Sequence, residues 1–420
     1  MSLIRHKYFD QTVRSLTFLF ILFIQFRIFT NESFSLSDVV FIFLFPALLI
    51  QLPNLINVFK VERSRFFFIG LFITTWIVSY LTPAFYYQDI SEFILDNAFI
   101  LLGALYLVLV LVTFYLINLI YGFQYIAKSF IFSGLIHAFF GILGLLLFFA
   151  GIDNSLVCFG CSTSPYLVDF PRVSGFSVSI NAYAFSLLIS LILIPTQMTN
   201  KNRKFMLSIG LFIFTVVILS LSKVMIVACL SIVLWFIFLR IKSSISTMMI
   251  KISVLVFGMV YALSTHVTFE SNTGQKCIYG ETIYELSLND GTKSKICPTF
   301  FVQQKVHYWD YAKLFAPWGS GMLAINNINN ANPHNTFLER YAFHGVVGVI
   351  SLLLLIALVF YLILFNKKNK PFDKNSFAIT LFWISLFFIS INSDVMRYRE
   401  LWIFFGLLLS SKYNSSKLSI

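Results

Sequence analysis

A histidine stands just ahead of a long apolar run in the segment NPHNTFLERYAFHGVVGV, residues 332–349. An asparagine suited to cap a helix and a proline suited to its first position precede it, so His334 is predicted to lie in the first turn of a helix. The positive end of the helix dipole disfavours a protonated imidazole. A neutral imidazole where water meets lipid can take a proton from a hydroxyl group, which makes His334 a candidate general base. The alternative is an interfacial histidine that hydrogen-bonds the backbone. His307 and His344, which lack this capping context, are interpreted in that way.

Positive side chains next to apolar runs form a second candidate group. They are the basic residues on the predicted external face, where membrane proteins usually carry few: Arg172, Lys223, Lys305, Lys313, Arg340, Arg397 and Arg399. A charge at the edge of a bilayer is costly unless it pairs, faces a cavity or extends to the interface. Each of them could simply extend to the interface, but the whole group predicts a shared anion, such as a lipid phosphate. Arginine binds phosphate with a planar fork, whereas lysine acts as a point charge.

The composition predicts that membrane-spanning helices position these residues. Of the 420 residues, 58% are hydrophobic and 11% are charged, and the mean hydropathy is +0.85. A bilayer core about 30 Å thick needs roughly 20 apolar residues per helix. Twelve runs fit this requirement: 15–30, 38–56, 66–85, 98–120, 130–151, 177–197, 205–221, 223–241, 246–265, 343–365, 376–392 and 398–411. The predicted fold class is all-α, a polytopic membrane helix bundle of twelve transmembrane helices with one long external loop before the tenth.

The loops between these runs carry charge asymmetrically. Lys and Arg concentrate in the N-terminal segment, in every second loop and in the C-terminal tail, whereas Asp and Glu lie mostly in the other loops. The positive-inside rule therefore places both termini in the cytoplasm. Because the basic residues lie in short loops between apolar runs, the net charge of +12 does not indicate nucleic-acid binding. The predicted division of the chain is helices one to nine (1–265), a large external loop (266–342), and helices ten to twelve with a tail (343–420).

The cysteines agree with this assignment of sides. Four of the five fall in predicted external loops, and only Cys229 lies in a predicted span. The four are Cys158, Cys161, Cys277 and Cys297. On an oxidising face they could form disulfides in three pairings. A zinc site is disfavoured because the single Cys-x-x-Cys motif has no second pair of ligands. A structural role is expected in either redox state.

Four stretches in the second half of the chain resemble, in the same order, motifs of the O-antigen ligase and O-antigen polymerase superfamily. RVSGFSVSINAYAF (172–185) resembles its Arg-x-x-Gly…Asn segment entering a span, and SLSKVMIV (220–227) resembles its Ser-Arg helix start. KVHYWDYAKLFAPWGSGM (305–322) resembles its Arg-x-x-x-Trp…Gly-x-Gly segment. HNTFLERYAFHGVVGV (334–349) resembles its His-Asn signature, which continues with Leu-Glu and Gly-x-x-Gly. Ahead of Arg172 the chain resembles the superfamily only in being apolar.

The resemblance implies a membrane glycosyltransferase of the GT-C type at the periplasmic face of a bacterial inner membrane. Its donor would be an oligosaccharide on a polyprenyl pyrophosphate, its acceptor a second glycan, and it would use no metal or other cofactor. His334 would deprotonate the acceptor hydroxyl, and the pyrophosphate leaving group would be held by Arg172, Lys223 and Lys305. Membrane lipids, a flippase and a chain-length regulator are the other expected partners, and nucleic acid is not one.

Two residues depart from the pattern of the superfamily. Lys223 and Lys305 stand where it usually has arginine, and lysine cannot bind a phosphate through two parallel hydrogen bonds. The fork would then come from Arg340, Arg397 or Arg399. The favoured activity is that of a polymerase, which joins repeat units on the lipid carrier. The alternative is a ligase, which transfers the glycan to lipid A-core, and a flippase of lipid-linked sugars is a third interpretation from a different class.

The predicted topology can be tested by labelling single cysteines with a membrane-impermeant reagent in a chain whose native cysteines are replaced by serine. A cysteine placed within residues 280–295 should react from outside, and one placed next to Lys368 should react only after the membrane is permeabilised. The reverse pattern would contradict the assignment of sides.

Overall fold

In the computed structural model the chain is mostly helical. The structure describes residues 2–26, 35–50, 63–86, 90–158, 171–177, 179–222, 224–240, 284–287, 293–296, 316–321, 336–365, 374–390, 395–396 and 398–410. Within these ranges the α-helices are α1 Ser2–Phe23, α2 Leu36–Leu49, α3 Arg63–Leu81, α4 Ile90–Tyr121, α5 Phe123–Phe149, α6 Ile180–Gln197, α7 Arg203–Leu219, α8 Val224–Arg240, α9 Thr336–Phe365, α10 Lys374–Ser390 and α11 Arg399–Ser410. A 3-10 turn, Thr82–Tyr86, continues α3. Two antiparallel strand pairs complete the described fold: β1 Val157–Cys158 with β2 Arg172–Val173, and β3 Tyr284–Ser287 with β4 Lys293–Ile296.

The helices are those of a membrane protein. Four of the described helices are long and apolar enough to cross a bilayer: Ile100–Tyr121 within α4, Phe123–Phe149 (α5), Ile180–Gln197 (α6) and Thr336–Leu362 within α9. Along one face of α5, the side chains of Phe132, Phe139 and Leu146 are exposed at intervals of two helical turns. An outer surface of large apolar side chains suits lipid rather than water as its solvent.

The predicted spans correspond to the helices as far as the structure describes them. Eleven of the twelve predicted runs overlap a helix, and the run 246–265 lies outside the described residues. Several of these helices are shorter than a full span, so the number of twelve stays a prediction, as does the long external loop. α9 begins at Thr336, ahead of the predicted start at residue 343, because its polar first turns are helical too.

Glycines let several helices approach each other closely. A Cβ atom added at Gly406 of α11 would lie 2.6 Å from the carbonyl oxygen of Leu111 and 2.8 Å from the amide nitrogen of Tyr115, both in α4. A Cβ atom at Gly134 of α5 would lie 2.5 Å from the Cβ atom of Ser190 in α6. Small residues at such crossings are typical of membrane helices, where close packing replaces the hydrophobic driving force.

Several polar groups within the bundle have hydrogen-bond partners inside it. The hydroxyl of Thr17 donates to the Val13 carbonyl at 2.8 Å, one turn earlier in α1. Between helices, the indole N–H of Trp235 donates to the Ile192 carbonyl at 3.0 Å. Such bonds are expected in an apolar surrounding, where an unsatisfied polar group is costly.

At one end of the bundle, α1 ends and α6 begins well before the end of the neighbouring long helix α5. The Tyr183 hydroxyl, one turn into α6, donates to the His137 carbonyl at 2.8 Å, and the His137 ring bonds to the Leu22 carbonyl at 2.9 Å. The end of α1 and the start of α6 thus lie level with the middle of α5. At a rise of 1.5 Å per residue, α5 continues roughly 18 Å beyond that level to Phe149. We call this level, where α1 ends and α6 begins, the recessed floor.

The closeness of α11 and α4 gives a prediction for stability. Gly406→Ala forces a methyl group against the Leu111 carbonyl and should destabilise the protein by about 1–3 kcal/mol. Gly103→Ala in α4 is the matched control, since a Cβ atom there meets nothing within 4 Å. The control should be neutral or stabilising by up to about 1 kcal/mol. Thermal unfolding midpoints of the detergent-solubilised variants measure both, and equal midpoints would contradict the predicted close approach.

Candidate functional site at the recessed floor

Arg172 closes the C-terminal end of α7. It lies in β2, where it pairs with Cys158 of β1. Its Nε atom donates to the Ser220 carbonyl at 3.1 Å and its Nη2 atom to the Leu221 carbonyl at 3.0 Å. The carbonyls at a helix end have no partner within the helix and carry its negative dipole end, so a guanidinium satisfies both requirements. Partial burial lowers the pKa of the Arg172 guanidinium below its usual value.

The turn from α7 to α8 contacts the start of α6. Leu221 has a φ of 49°, which is unusual for a residue other than glycine. The Ser222 hydroxyl donates to the Asn181 Oδ1 atom at 2.7 Å and accepts a bond from the Val224 amide at 3.3 Å. The stretches RVSGFSVSINAYAF and SLSKVMIV are therefore in contact, although Lys223 itself lies outside the described residues.

α9 is broken at Gly345, whose φ of 62° and ψ of −155° are not helical. The break separates a short helix, residues 336–344, from a long helix, residues 346–365. The first amide of the long helix, that of Val346, donates to the Pro317 carbonyl at 2.8 Å. A backbone group released by the break is thus satisfied by the segment 316–321, which precedes α9 in the sequence.

The same segment, residues 316–321, also closes the short helix. The Ser320 amide donates to the Ala342 carbonyl at 2.9 Å, and the Gly321 amide donates to the Phe343 carbonyl at 2.9 Å. The Gly-x-Gly part of KVHYWDYAKLFAPWGSGM therefore packs on the helix that follows His334 in the sequence.

Glycine is required where this segment meets the break. Gly319 has a φ of 89°, and a Cβ atom there would lie 2.5 Å from the Gly345 amide nitrogen and 2.7 Å from that of His344. A side chain at Gly319 would push the segment off the helix end and leave backbone groups without partners.

A buried ion pair ties α11 to α2. The Arg399 guanidinium donates from Nε at 3.0 Å and from Nη2 at 2.9 Å to the Asp38 Oδ1 atom, and from Nη2 at 2.7 Å to Oδ2. The Asp38 side chain also accepts a bond from the Ser35 amide at 2.7 Å, as the reciprocal half of a capping box. The fork of Arg399 is thus occupied by a carboxylate that also caps a helix.

A second polar pair lies beside the first. The Gln25 side chain donates from Nε2 to the Glu400 Oε1 atom at 2.8 Å, and both side chains are buried. Gln25 follows α1 and Glu400 lies in the first turn of α11, so this pair joins the first and the last of the described helices at the floor.

Aromatic and backbone contacts join these groups at the same end of the bundle. Phe26 stacks on Phe176, four residues after Arg172, with ring centroids 4.3 Å apart. The Val395 amide, shortly before Arg399, donates to the Thr336 hydroxyl oxygen at 3.2 Å. The recessed floor therefore brings together the described parts of the stretches 172–185, 220–227, 305–322 and 334–349.

The structure places three of the seven predicted site residues. Arg172 holds the turn after α7, Arg399 pairs with Asp38, and Arg340 lies buried on the short helix against two aromatic rings of α3. The other four lie outside the described residues: His334, Lys223, Lys305 and Arg397. The side chains of the four predicted external cysteines are also outside them, whereas Cys229 is a free thiol.

Some floor residues were not among the predicted site residues. Asp38 and Glu400 have few acidic neighbours in the sequence and stand next to apolar runs, which marks them as buried charges that need partners. This pattern can be recognised in the sequence. Their partners, at 361 and 375 residues' separation, could not be inferred from one sequence.

Comparison with known proteins adds no family. The sequence matches no known family model, and no curated protein is significantly similar to it. Fold and geometry therefore define only a class: a helical membrane protein with charged side chains on a recessed floor. Among the described residues, no group of His, Cys, Asp and Glu could hold a metal ion.

The buried ion pair gives a prediction for stability. Asp38→Asn leaves the Arg399 charge buried without a carboxylate and should cost about 3–5 kcal/mol. Asp10→Asn is the matched control, because the pair of Asp10 with Arg14 has side chains 43% and 50% exposed. The control should change stability by less than about 0.5 kcal/mol. If thermal unfolding gives both variants the same midpoint, the pair does not stabilise the floor.

Proposed function

We propose that the protein is a membrane glycosyltransferase that acts on glycans linked to a polyprenyl pyrophosphate, and that it is an O-antigen polymerase. One observation carries the proposal. Segment 316–321 packs on the helix that follows His334, and the Arg172 stretch packs on the Ser222 turn, both at the same end of the bundle. Short motifs that are far apart in the sequence but in contact in the structure support a shared functional site better than the same motifs do separately.

The reaction needs a base on one side of the donor sugar and positive charge on the other. His334 takes the proton of an acceptor hydroxyl, and the resulting oxygen attacks the anomeric carbon of the donor. The bond from that carbon to the phosphate oxygen breaks, and the polyprenyl pyrophosphate leaves with the bonding electron pair. Attack opposite the leaving group inverts the anomeric centre, and fixed positive charge stabilises the departing pyrophosphate without a metal.

The leaving group is assigned to a subset of the predicted cations. Arg172 is held at the α7–α8 turn, which directly precedes Lys223 in the sequence. Lys223, Lys305 and Arg397 are further proposed ligands. Arg399 is a weaker candidate, because a phosphate would have to displace the Asp38 carboxylate from its fork. We assign Arg399 to the stability of the floor.

The direction of the chain across the membrane belongs to the proposal as well. The floor is placed at the periplasmic face of a bacterial inner membrane, with both termini in the cytoplasm, because this agrees with the distribution of Lys and Arg. In this arrangement the lipid-linked donor reaches the floor from the bilayer side. The acceptor reaches the floor from the water.

Replacing the proposed base tests the reaction. His334→Ala, introduced into a strain without the chromosomal copy, should lower transfer by about 10²–10⁴-fold. A glycan gel should then show single repeat units in place of long ladders. His6→Ala, at the N-terminus, is the control and should leave the ladders intact.

The gel also separates the competing activities. In a deletion strain, loss of ladders with one repeat retained indicates a polymerase, and loss of every repeat indicates a ligase. Normal ladders in the His334→Ala strain would contradict the assignment of the base.

A further inference from the structure

We propose that Arg340 is a positioning residue: it fixes the short helix against α3 and so sets the place of His334, rather than binding the diphosphate. This inference rests on the proposed function for its catalytic consequence. Its structural part, the anchoring of the short helix, rests on contacts alone.

Arg340 is enclosed by two aromatic residues of α3. Its Cζ atom lies 4.3 Å from the centroid of the Trp76 ring and 5.5 Å from that of Tyr80. Its Nη1 atom donates to the Tyr80 hydroxyl at 3.1 Å. A cation stacked on a desolvated aromatic ring is stabilised by about 2 kcal/mol, so these contacts link the middle of the short helix firmly to α3.

The surroundings of Arg340 do not suit a ligand of the donor. The residue is 1% exposed, and Trp76, which covers one face of the guanidinium, is fully buried. Among the described residues no carboxylate forms an ion pair with Arg340. Burying a charge that is stabilised by aromatic rings and one hydroxyl group costs more free energy than burying a leucine would. We therefore attribute the arginine at this position to the packing and hydrogen bonding of its planar guanidinium.

Two further contacts hold the ends of the short helix. At its start, the Thr336 hydroxyl accepts a bond from the Val395 amide at 3.2 Å. At its end, the Thr82 hydroxyl, in the turn after α3, donates to the His344 carbonyl at 3.0 Å. With Arg340 between them, the axis and the rotation of the helix are both fixed.

The consequence for catalysis follows from the sequence position of the base. His334 precedes the described start of the short helix by two residues in the sequence, so under the proposed function a rotation of that helix displaces the base. A displacement of about 1 Å at a reacting group can lower the rate by about 10²-fold. Arg340 therefore acts through the helix and not through contact with the substrate.

Tyr80→Phe is the most informative variant, because it removes one hydroxyl group and leaves the ring and the charge in place. Arg340→Gln removes the charge, and Arg340→Lys keeps the charge without the planar fork. Thr75→Val is the control: Thr75 is a partly exposed residue of α3 whose hydroxyl bonds only within that helix among the described contacts. Polymer formation from a polyprenyl-pyrophosphate oligosaccharide is measured with purified protein in nanodiscs.

The expected result is a fall in kcat of about tenfold to 10²-fold in Tyr80→Phe and Arg340→Gln, with the KM for the donor within about twofold of the wild-type value. Arg340→Lys should recover part of the loss, and Thr75→Val should match the wild type. A raised donor KM with unchanged kcat in the Arg340 variants, or no effect of Tyr80→Phe, would overturn the inference.

A distance measurement tests the anchoring without any turnover. Spin labels on cysteines at Leu338 of the short helix and Val78 of α3, in a chain whose native cysteines are replaced by serine, should give a narrow distance distribution. It should broaden or shift in Tyr80→Phe and Arg340→Gln. If the labels respond in this way while no variant, including the wild type, transfers sugar, the proposed function fails and the anchoring stands. An unchanged narrow distribution in both variants overturns the anchoring itself.

Discussion

Backbone groups at interrupted helix ends determine the architecture of the recessed floor. A helix that ends inside a membrane protein leaves N–H and C=O groups that neither water nor lipid satisfies, so the protein must supply their partners. At the end of α7 the partner is the Arg172 guanidinium, and at the break in α9 it is the backbone of residues 316–321. At the start of α2 it is the Asp38 carboxylate. The partners at the end of α7 and at the break in α9 come from distant parts of the chain, which is how the separate motifs meet.

The charged residues of the floor are stabilised in three different ways. Arg399 faces a carboxylate, Arg172 faces backbone carbonyls at a negative dipole end, and Arg340 faces aromatic rings. Arg399 would first have to release a carboxylate, and Arg340 would first have to leave an aromatic enclosure, before either could bind an anion. This difference separates a proposed ligand from residues that hold the framework, although all three are arginines on the predicted external face.

The sequence predicts the helical class well because long apolar runs have few other structures open to them in a bilayer. The contacts between short motifs are seen only in the structure, where RVSGFSVSINAYAF meets the Ser222 turn and the Gly319 segment meets the break in α9. The sequence does not predict the break either. Gly345 reads as an ordinary glycine in an apolar helix, and only the close approach of a distant segment requires its positive φ. Partner choice for Asp38 and Arg340 depends on which helices are neighbours, and a single sequence does not encode that in any local pattern.

The most direct measurement is the equilibrium binding of a polyprenyl pyrophosphate without sugar to the purified protein and to Arg172→Ala. A charge-assisted hydrogen bond to phosphate contributes about 1.5–3 kcal/mol, so the variant should bind roughly 10- to 10²-fold more weakly. Arg14→Ala, which removes an exposed arginine from the other end of the bundle, should bind like the wild type. Thermal unfolding first establishes that both proteins are folded. Equal affinity of the Arg172→Ala protein and the wild type would then contradict an anion site at the recessed floor.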